Sequence, residues 1–145
     1  MSEKQETIVR RTFEEVWNKG KLDAVDQLFT TDYVNNDPVN QTRGQKAFKD
    51  VVTKYRNAFP DCRLDIDELI STGDKVIVRW RYSGTHTGQL EGIKPTGRRV
   101  SGSGITINTL SGDRIREAFV NWDALGLMQQ LGVVTLPGKA MGAGA

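Results

Sequence analysis

The chain has 145 residues, of which 37% are hydrophobic and 26% are charged, and its formal net charge is +2. This length and composition are typical of one soluble globular domain, which we predict over residues 1–137. We predict a flexible tail at 138–145, because that segment has almost nothing to bury. The N-terminal segment is charged and amphipathic, and no stretch is apolar enough to span a bilayer. We therefore expect a cytoplasmic protein with no membrane partner.

The residue counts disfavour two further classes of partner. The single Cys62 cannot form an internal disulfide, and one cysteine with one histidine cannot build a standard zinc site. The small net charge does not predict a nucleic-acid partner, and the basic residues Lys94, Arg98 and Arg99 have no neighbouring aromatics on which bases could stack. We expect neither a metal nor a nucleic acid.

Helical spacing of apolar residues dominates the first 60 positions. We predict helices at 3–18, 21–29 and 43–59, and a short strand at 33–36 that ends before a proline. Trp17 lies on the apolar stripe of the first helix, where an aromatic side chain belongs either to the core or to a cavity wall.

After Pro60 the apolar residues alternate, which is the pattern of β-strands. We predict strands at 64–70, 75–82, 100–110 and 115–122, joined as an antiparallel meander. A short helix follows the last strand. Helices that precede such a meander indicate an α+β domain in which the helices cover one face of the sheet.

The strand at 75–82 has two distinct faces. Trp80 and Tyr82 lie on its apolar face, which we expect to point inward. Arg79 and Arg81 lie on the opposite face, which is either exposed or paired with acids.

The next strand, at 100–110, carries Gly102 and Gly104 on the same face. Glycine weakens a strand, so the pair indicates a bulge, a bend or space cleared for another group. The connection before this strand, 84–99, is rich in glycine and holds His86, the only histidine. Long loops are often functional, so His86 is a candidate site residue as well as a candidate structural one.

Asp123 stands where the last strand gives way to the terminal helix. If the odd positions of that strand face inward, one wall of the space enclosed by the sheet is lined by Glu117, Phe119 and Asn121 and ends at the Asp123 carboxylate. Aspartate is also a preferred helix N-cap, so a purely structural role is equally open. A capping carboxylate is held ionised by backbone N–H groups, whereas a general base needs surroundings that favour proton uptake.

Several blocks together resemble the SnoaL-like polyketide cyclase or ester cyclase family of the NTF2-like superfamily. They are EEVWNKGKLDAVDQLFTTDYV, AFPD, GDKVIVRWRYSGTHTG, GIKPTGRRVSGSGI and NWDALGLMQQLG. The resemblance implies a cone-shaped barrel in which helices pack on a strongly curved, mostly antiparallel sheet around a deep apolar cavity. It also implies a homodimer or homotetramer.

The same resemblance implies an enzyme that closes a ring in a small hydrophobic polyketide by an intramolecular aldol condensation, without metal or organic cofactor. Asp123 matches the family's general acid/base, and His86 matches a histidine that helps to bind the substrate. Asn35 and Asn36 stand where many relatives carry histidine, and an amide cannot titrate. The candidate substrate-binding residues are Trp17, Tyr33, Asn35, Trp80, Gly102, Phe119 and Asn121.

Two alternative functions remain open on the sequence. The first is hydration or hydrolysis in the manner of NTF2-like epoxide hydrolases or isomerases, with Arg79 or Arg81 and acids activating water. The second is a non-catalytic binder of small apolar ligands, or a scaffold that only oligomerises, because fold alone does not fix function.

Overall fold

A computed structural model describes residues 2–137, so the tail predicted at 138–145 lies outside the described residues. In chain order the elements are α1 (Ser2–Arg11), a π-helix that continues it (Thr12–Asn18), α2 (Ala24–Leu28), β1 (Phe29–Asn36), β2 (Thr42–Arg43), α3 (Gln45–Ala58), β3 (Arg63–Thr72), β4 (Lys75–Thr85), β5 (Arg99–Ser111), β6 (Arg114–Trp122) and α4 (Ala124–Gln130).

The strands form one six-stranded sheet in the order β2-β1-β6-β5-β4-β3. Neighbouring strands run antiparallel except β1 and β6, which are parallel. The predicted α+β class and the mostly antiparallel sheet are confirmed. The sequence pattern missed β2 and the parallel pairing of β1 with β6, because a two-residue strand shows no period and a partner distant in sequence leaves no local signal.

The helices cover one face of the sheet because their apolar stripes bury against its apolar side chains. Buried residues from both layers meet in this core: Val9, Val16, Val25 and Val52 from the helices, and Val76, Val78 and Ile115 from the strands. Burying each such side chain contributes about 1.5–3 kcal/mol. No helix within residues 2–137 is both long and apolar enough to cross a membrane.

The prediction that the odd positions of β6 face inward is wrong. Leu110 of β5 pairs with Ile115, whereas Thr109 pairs with Glu117, so Arg116 is an extra residue in β6. One extra residue changes the phase of a strand, and every side chain after it moves to the other face.

The side chains that follow the bulge confirm this change of face. Ala118, Val120 and Trp122 point to the helix side of the sheet. Phe119 and Asn121 lie on the outer face, where Phe119 is 51% exposed.

The glycines of β5 make room for the aromatic rings of β4. Pairing between the two strands is unbroken, with Trp80 opposite Gly104 and Tyr82 opposite Gly102, so neither glycine marks a bulge. A Cβ at either glycine would come within 3.0 Å of the ring opposite. Cleared space was one of the three possibilities left open by the sequence, and the rings of β4 fill that space.

We predict that Gly104→Ala destabilises the protein by about 1–3 kcal/mol, because the added methyl overlaps the Trp80 ring. Alanine is otherwise the better residue for an extended strand, so a loss here isolates the steric effect. Denaturant unfolding measures it. Ser103→Ala, one residue away on the exposed face, is the matched control and should change the unfolding free energy by less than about 0.5 kcal/mol. Equal effects of the two substitutions would contradict the steric explanation.

Candidate active site

A cavity lies between the helices and the inner face of the sheet. It has a volume of about 140 Å³, whereas one water needs roughly 10–15 Å³ of such space. Its walls come from the π-helix, α3, α4 and all the strands except β2, together with the turn after β1. The space therefore suits an organic molecule rather than one or two waters.

Aromatic rings form much of the cavity wall. All three tryptophans of the chain, Trp17, Trp80 and Trp122, line it. The Trp80 indole N–H donates to Thr106 Oγ1 (2.9 Å), and the Trp122 indole N–H donates to Asp37 Oδ1 (3.2 Å). Because these N–H groups are satisfied within the protein, a ligand meets mainly the apolar ring surfaces.

One end of the cavity, near the junction of β1 and β2, is polar. The Tyr33 hydroxyl donates to Asn35 Oδ1 (3.2 Å). The Asn40 amide donates to the Tyr55 hydroxyl (3.0 Å). Burial raises the pKa of Tyr33 and of Tyr55, so both hydroxyls stay protonated near neutral pH.

Asp37 lies at this polar end and is the one acid among the described residues that line the cavity. Its Oδ1 accepts hydrogen bonds from the backbone N–H groups of Val39 (2.8 Å) and Asn40 (3.0 Å), as well as from Trp122. No donor within residues 2–137 bonds to its Oδ2. The carboxylate is thus fixed through one oxygen and free at the other.

Tyr82 lines the cavity beside Trp122, with ring centroids 6.1 Å apart. Its hydroxyl is buried and has no hydrogen-bond partner within the described part of the chain. Burial raises the pKa of Tyr82, and the negative charge of nearby Asp123 raises it further. The hydroxyl is therefore an unused donor between the cavity and Asp123.

Asp123 itself is exposed and does not line the cavity. Its side chain caps α4 by accepting a hydrogen bond from the Gly126 N–H (2.8 Å), so the capping role left open by the sequence is present. A Cβ at Gly126 would overlap the carboxylate, so this glycine gives the cap its space. Asp123 is connected to the cavity by two lining residues: Trp122, which precedes it in the chain, and Tyr82, on which its charge acts.

His86 is fully buried and also lies outside the cavity. The Thr96 N–H donates to Nδ1 (3.2 Å), which leaves the ring proton on Nε2, an atom with no partner within residues 2–137. The ring packs on Phe59, a cavity residue, with centroids 5.3 Å apart. Desolvation lowers the pKa of His86, and the Gly88 backbone opposes that effect in part.

The structure brings together only some of the residues predicted for the site. Trp17, Tyr33, Asn35 and Trp80 line the cavity. Gly102 acts indirectly by making room for the Tyr82 ring. The remaining predicted residues, Phe119, Asn121, Asp123 and His86, lie outside the cavity wall.

Sequence reasoning missed Asp37, Asn40, Tyr55 and Tyr82 as cavity residues. The Asp37-Pro38 pair signals a turn, but nothing local shows that the turn folds back on Trp122, 85 residues later. Tyr55 sits on the apolar stripe of α3, which predicts a core position and does not distinguish a core from a cavity wall. Within residues 2–137, no three side chains of His, Cys, Asp or Glu lie close enough together to hold a metal ion.

Comparison with known proteins identifies the family. The SnoaL-like polyketide cyclase model matches residues 7–131. The chain belongs to this family. This SnoaL-like protein is 34% identical over 130 residues to aklanonic acid methyl ester cyclase DnrD of Streptomyces peucetius, and the match covers 86% of this chain and 88% of that protein. It is 32% identical over 120 residues to the nogalonic acid methyl ester cyclase of Streptomyces nogalater, covering 80% of this chain and 89% of that protein.

Solved structures agree with the family assignment. A proposed polyketide cyclase from Acidithiobacillus ferrooxidans superposes with a TM-score of 0.81 at 30% identity, covering 91% of this SnoaL-like chain and 96% of that one. The resemblance inferred from the sequence blocks is confirmed, and with it the NTF2-like α+β fold.

We predict that His86 makes the fold sensitive to mild acid. Its pKa in the folded protein lies below the ordinary value of 6.5, so the unfolded chain binds the proton more readily. Stability is then complete above about pH 6.5 and falls as the pH drops below it, by at most about 1.4 kcal/mol per pH unit. Urea unfolding between pH 5 and pH 7.5 tests this prediction against His86→Gln, which should lack that component. Parallel pH profiles for the two proteins would contradict it.

Proposed function

We propose that this SnoaL-like protein closes a carbon–carbon ring in an apolar, carbonyl-rich polyketide ester by acid–base catalysis. The observation that carries the proposal is an aromatic-walled cavity with one lining carboxylate, Asp37, in a chain that belongs to a polyketide cyclase family. The named relatives act on aklanonic acid methyl ester and nogalonic acid methyl ester, and esters of this class are the substrates we propose.

The reaction needs one proton taken and one returned. A base removes a proton from a carbon flanked by carbonyl groups, and the resulting enolate carbon attacks a ketone carbon of the same molecule. The new carbon–carbon bond forms as the ketone π electrons move to its oxygen, which then receives a proton. The protein's contribution is to hold the two carbons together and to move that proton.

We propose that Asp123 is this acid/base. It follows Trp122, whose ring lines the cavity, and its charge acts on the cavity residue Tyr82. Only its Oδ1 is used by the helix cap within the described residues, which leaves Oδ2 for a proton. Because Asp123 is exposed, the reacting carbon of the substrate has to lie at the Trp122 end of the cavity.

We propose that His86 is a positioning residue rather than one that touches substrate. It holds the connection before β5 through Thr96, and its ring supports Phe59 in the cavity wall. Trp17, Tyr33, Asn35 and Trp80 form the proposed substrate-binding surface.

We predict that Asp123→Asn lowers kcat by at least about 100-fold, because acid–base catalysis contributes roughly 10²–10⁴ in rate. Asparagine caps helices about as well as aspartate, so the melting temperature should stay within about 2 °C. Turnover of the two methyl esters, followed chromatographically, measures the first effect, and calorimetry measures the second. Asp113→Asn, in the exposed turn before β6, is the matched control.

The possible outcomes separate the competing functions. Full turnover by a folded Asp123→Asn protein contradicts the acid/base role. Tight binding of both esters by the unaltered protein, with no product, favours the non-catalytic binder. Asp123→Ala removes the cap as well and should cost about 1 kcal/mol of stability, which distinguishes loss of the helix end from loss of the base.

We further propose that two copies of the chain associate through the outer face of the sheet. Ile70, Ile77, Ile107 and Phe119 are directly opposite one another across β3, β4, β5 and β6, and form a continuous row. Ile70 is 49% exposed and Phe119 is 51% exposed. Ile105, also 50% exposed, extends the row, and monomeric proteins rarely leave so continuous an apolar patch uncovered.

Charges beside this row favour a second copy as the partner. Arg79 pairs with Glu68 (3.2 Å) and Arg81 pairs with Asp67 (2.8 Å) on the same exposed surface. A surface that carries both signs of charge can face its own copy across a two-fold axis without net repulsion.

We predict that Ile107→Lys weakens self-association by more than about tenfold, because an unpaired ammonium group would be buried twice in a two-fold interface. Analytical ultracentrifugation over a concentration series measures the dissociation constant. Gln27→Lys adds the same charge on exposed α2 and should leave association unchanged. An unaltered protein that is monomeric at all concentrations refutes the proposed interface.

A further inference from the structure

The free oxygen of Asp37 is a feature that the proposed acid–base step does not use. Three N–H donors hold Oδ1, two from the turn after β1 and one from Trp122 of β6. The carboxylate therefore cannot rotate away without breaking contacts to two separate parts of the chain. Within residues 2–137 no lysine or arginine pairs with it.

The groups around Asp37 define what it can bind. Lys54, which reaches the polar end through Asn40, is already held by Asn40 Oδ1 (2.7 Å) and Glu91 Oε1 (2.8 Å). The Tyr33 hydroxyl is committed to Asn35. The other walls at this end are the rings of Trp122 and Tyr55, whose centroids lie 6.0 Å apart. A ligand entering here meets one unneutralised acceptor framed by flat apolar surfaces.

We propose that Asp37 Oδ2 accepts a hydrogen bond from a phenol or enol hydroxyl of a flat aromatic ligand, and so selects and orients hydroxylated substrates in the cavity. This proposal rests on the proposed function in one respect only, namely that the cavity takes an apolar polyketide. It assigns Asp37 a recognition role that is separate from proton transfer at Asp123.

Charge and geometry favour a hydroxyl over other ligand groups. An ionised carboxylate only accepts hydrogen bonds, so it repels a substrate carbonyl and attracts an O–H group. Hydrogen bonds to charged groups are stronger than those between neutral groups, and a partly buried site screens them less than water does. A ligand ammonium would lose far more hydration free energy on entering the cavity than a neutral hydroxyl would. The negative charge of Asp37 also raises the pKa of both Tyr33 and Tyr55, which shows that its field extends over this end of the cavity.

Two ligands that differ in one group test the proposal. The naphthols and methylnaphthalenes are flat, two-ring molecules, so 2-naphthol and 2-methylnaphthalene compare a hydroxyl with a methyl at the same position. We expect the unaltered protein to bind 2-naphthol the more tightly of the two.

Asp37→Asn keeps an oxygen for the turn N–H groups and replaces the free oxygen with a donor. We expect the affinity for 2-naphthol to fall by roughly 10- to 100-fold, as for loss of a charged hydrogen bond. The affinity for 2-methylnaphthalene should stay within about twofold. Asp32→Asn, on the exposed side of β1 and outside the cavity, is the matched control and should change neither ligand.

Each contrary result overturns the proposal. Equal loss of both ligands in Asp37→Asn means that the residue only supports the fold. Equal affinity of the unaltered protein for the two ligands refutes hydroxyl recognition without any variant, as does a failure to bind either. The outcome is separable from the cyclase proposal, because turnover of the methyl esters and its loss in Asp123→Asn are measured independently of naphthol preference.

Discussion

The inner face of the sheet depends on one packing constraint: large aromatic side chains of β4 lie over glycines of β5. The large rings of Trp80 and Tyr82 lie over Gly104 and Gly102, and a Cβ at either glycine would overlap the ring opposite. The glycines have no side chains to pack, and the aromatic rings of β4 fill the space above them instead. The cavity wall on this side is therefore largely aromatic, although Gly102 and Gly104 contribute no side chains to it.

The two carboxylates near the cavity are each held by hydrogen-bond donors, because a carboxylate beside apolar side chains is costly unless it is hydrogen-bonded. Asp37 is held by two backbone N–H groups and the Trp122 indole, and Asp123 is held by the first turn of α4. Both carboxylates thus lie next to Trp122: Asp37 accepts a hydrogen bond from its indole, and Asp123 is the following residue in the chain. The cavity therefore combines mainly aromatic and aliphatic walls with a single lining carboxylate, that of Asp37.

The sequence predicted the parts of the site that depend on local pattern. The apolar face of β4 places Trp80 inward, as the structure shows, and the helix cap, one of the two roles that the sequence left open for Asp123, is present. The predicted inward face of β6 was wrong after Arg116. The bulge there is set by pairing with β5, and it does not show in the alternation of apolar and polar residues. His86 sits in a glycine-rich loop that looked functional, yet the loop folds inward and buries it on Phe59.

The sequence by itself determined the family, the α+β class, the helices and the four-stranded meander, because each of these follows from short-range periodicity or from blocks of matching residues. Only the tertiary structure decided which face of β6 lines the cavity, that β1 pairs with β6, and that Asp37 meets Trp122. These features join residues far apart in the chain, and their energies depend on register, packing and shared hydrogen bonds. No local pattern encodes such distances.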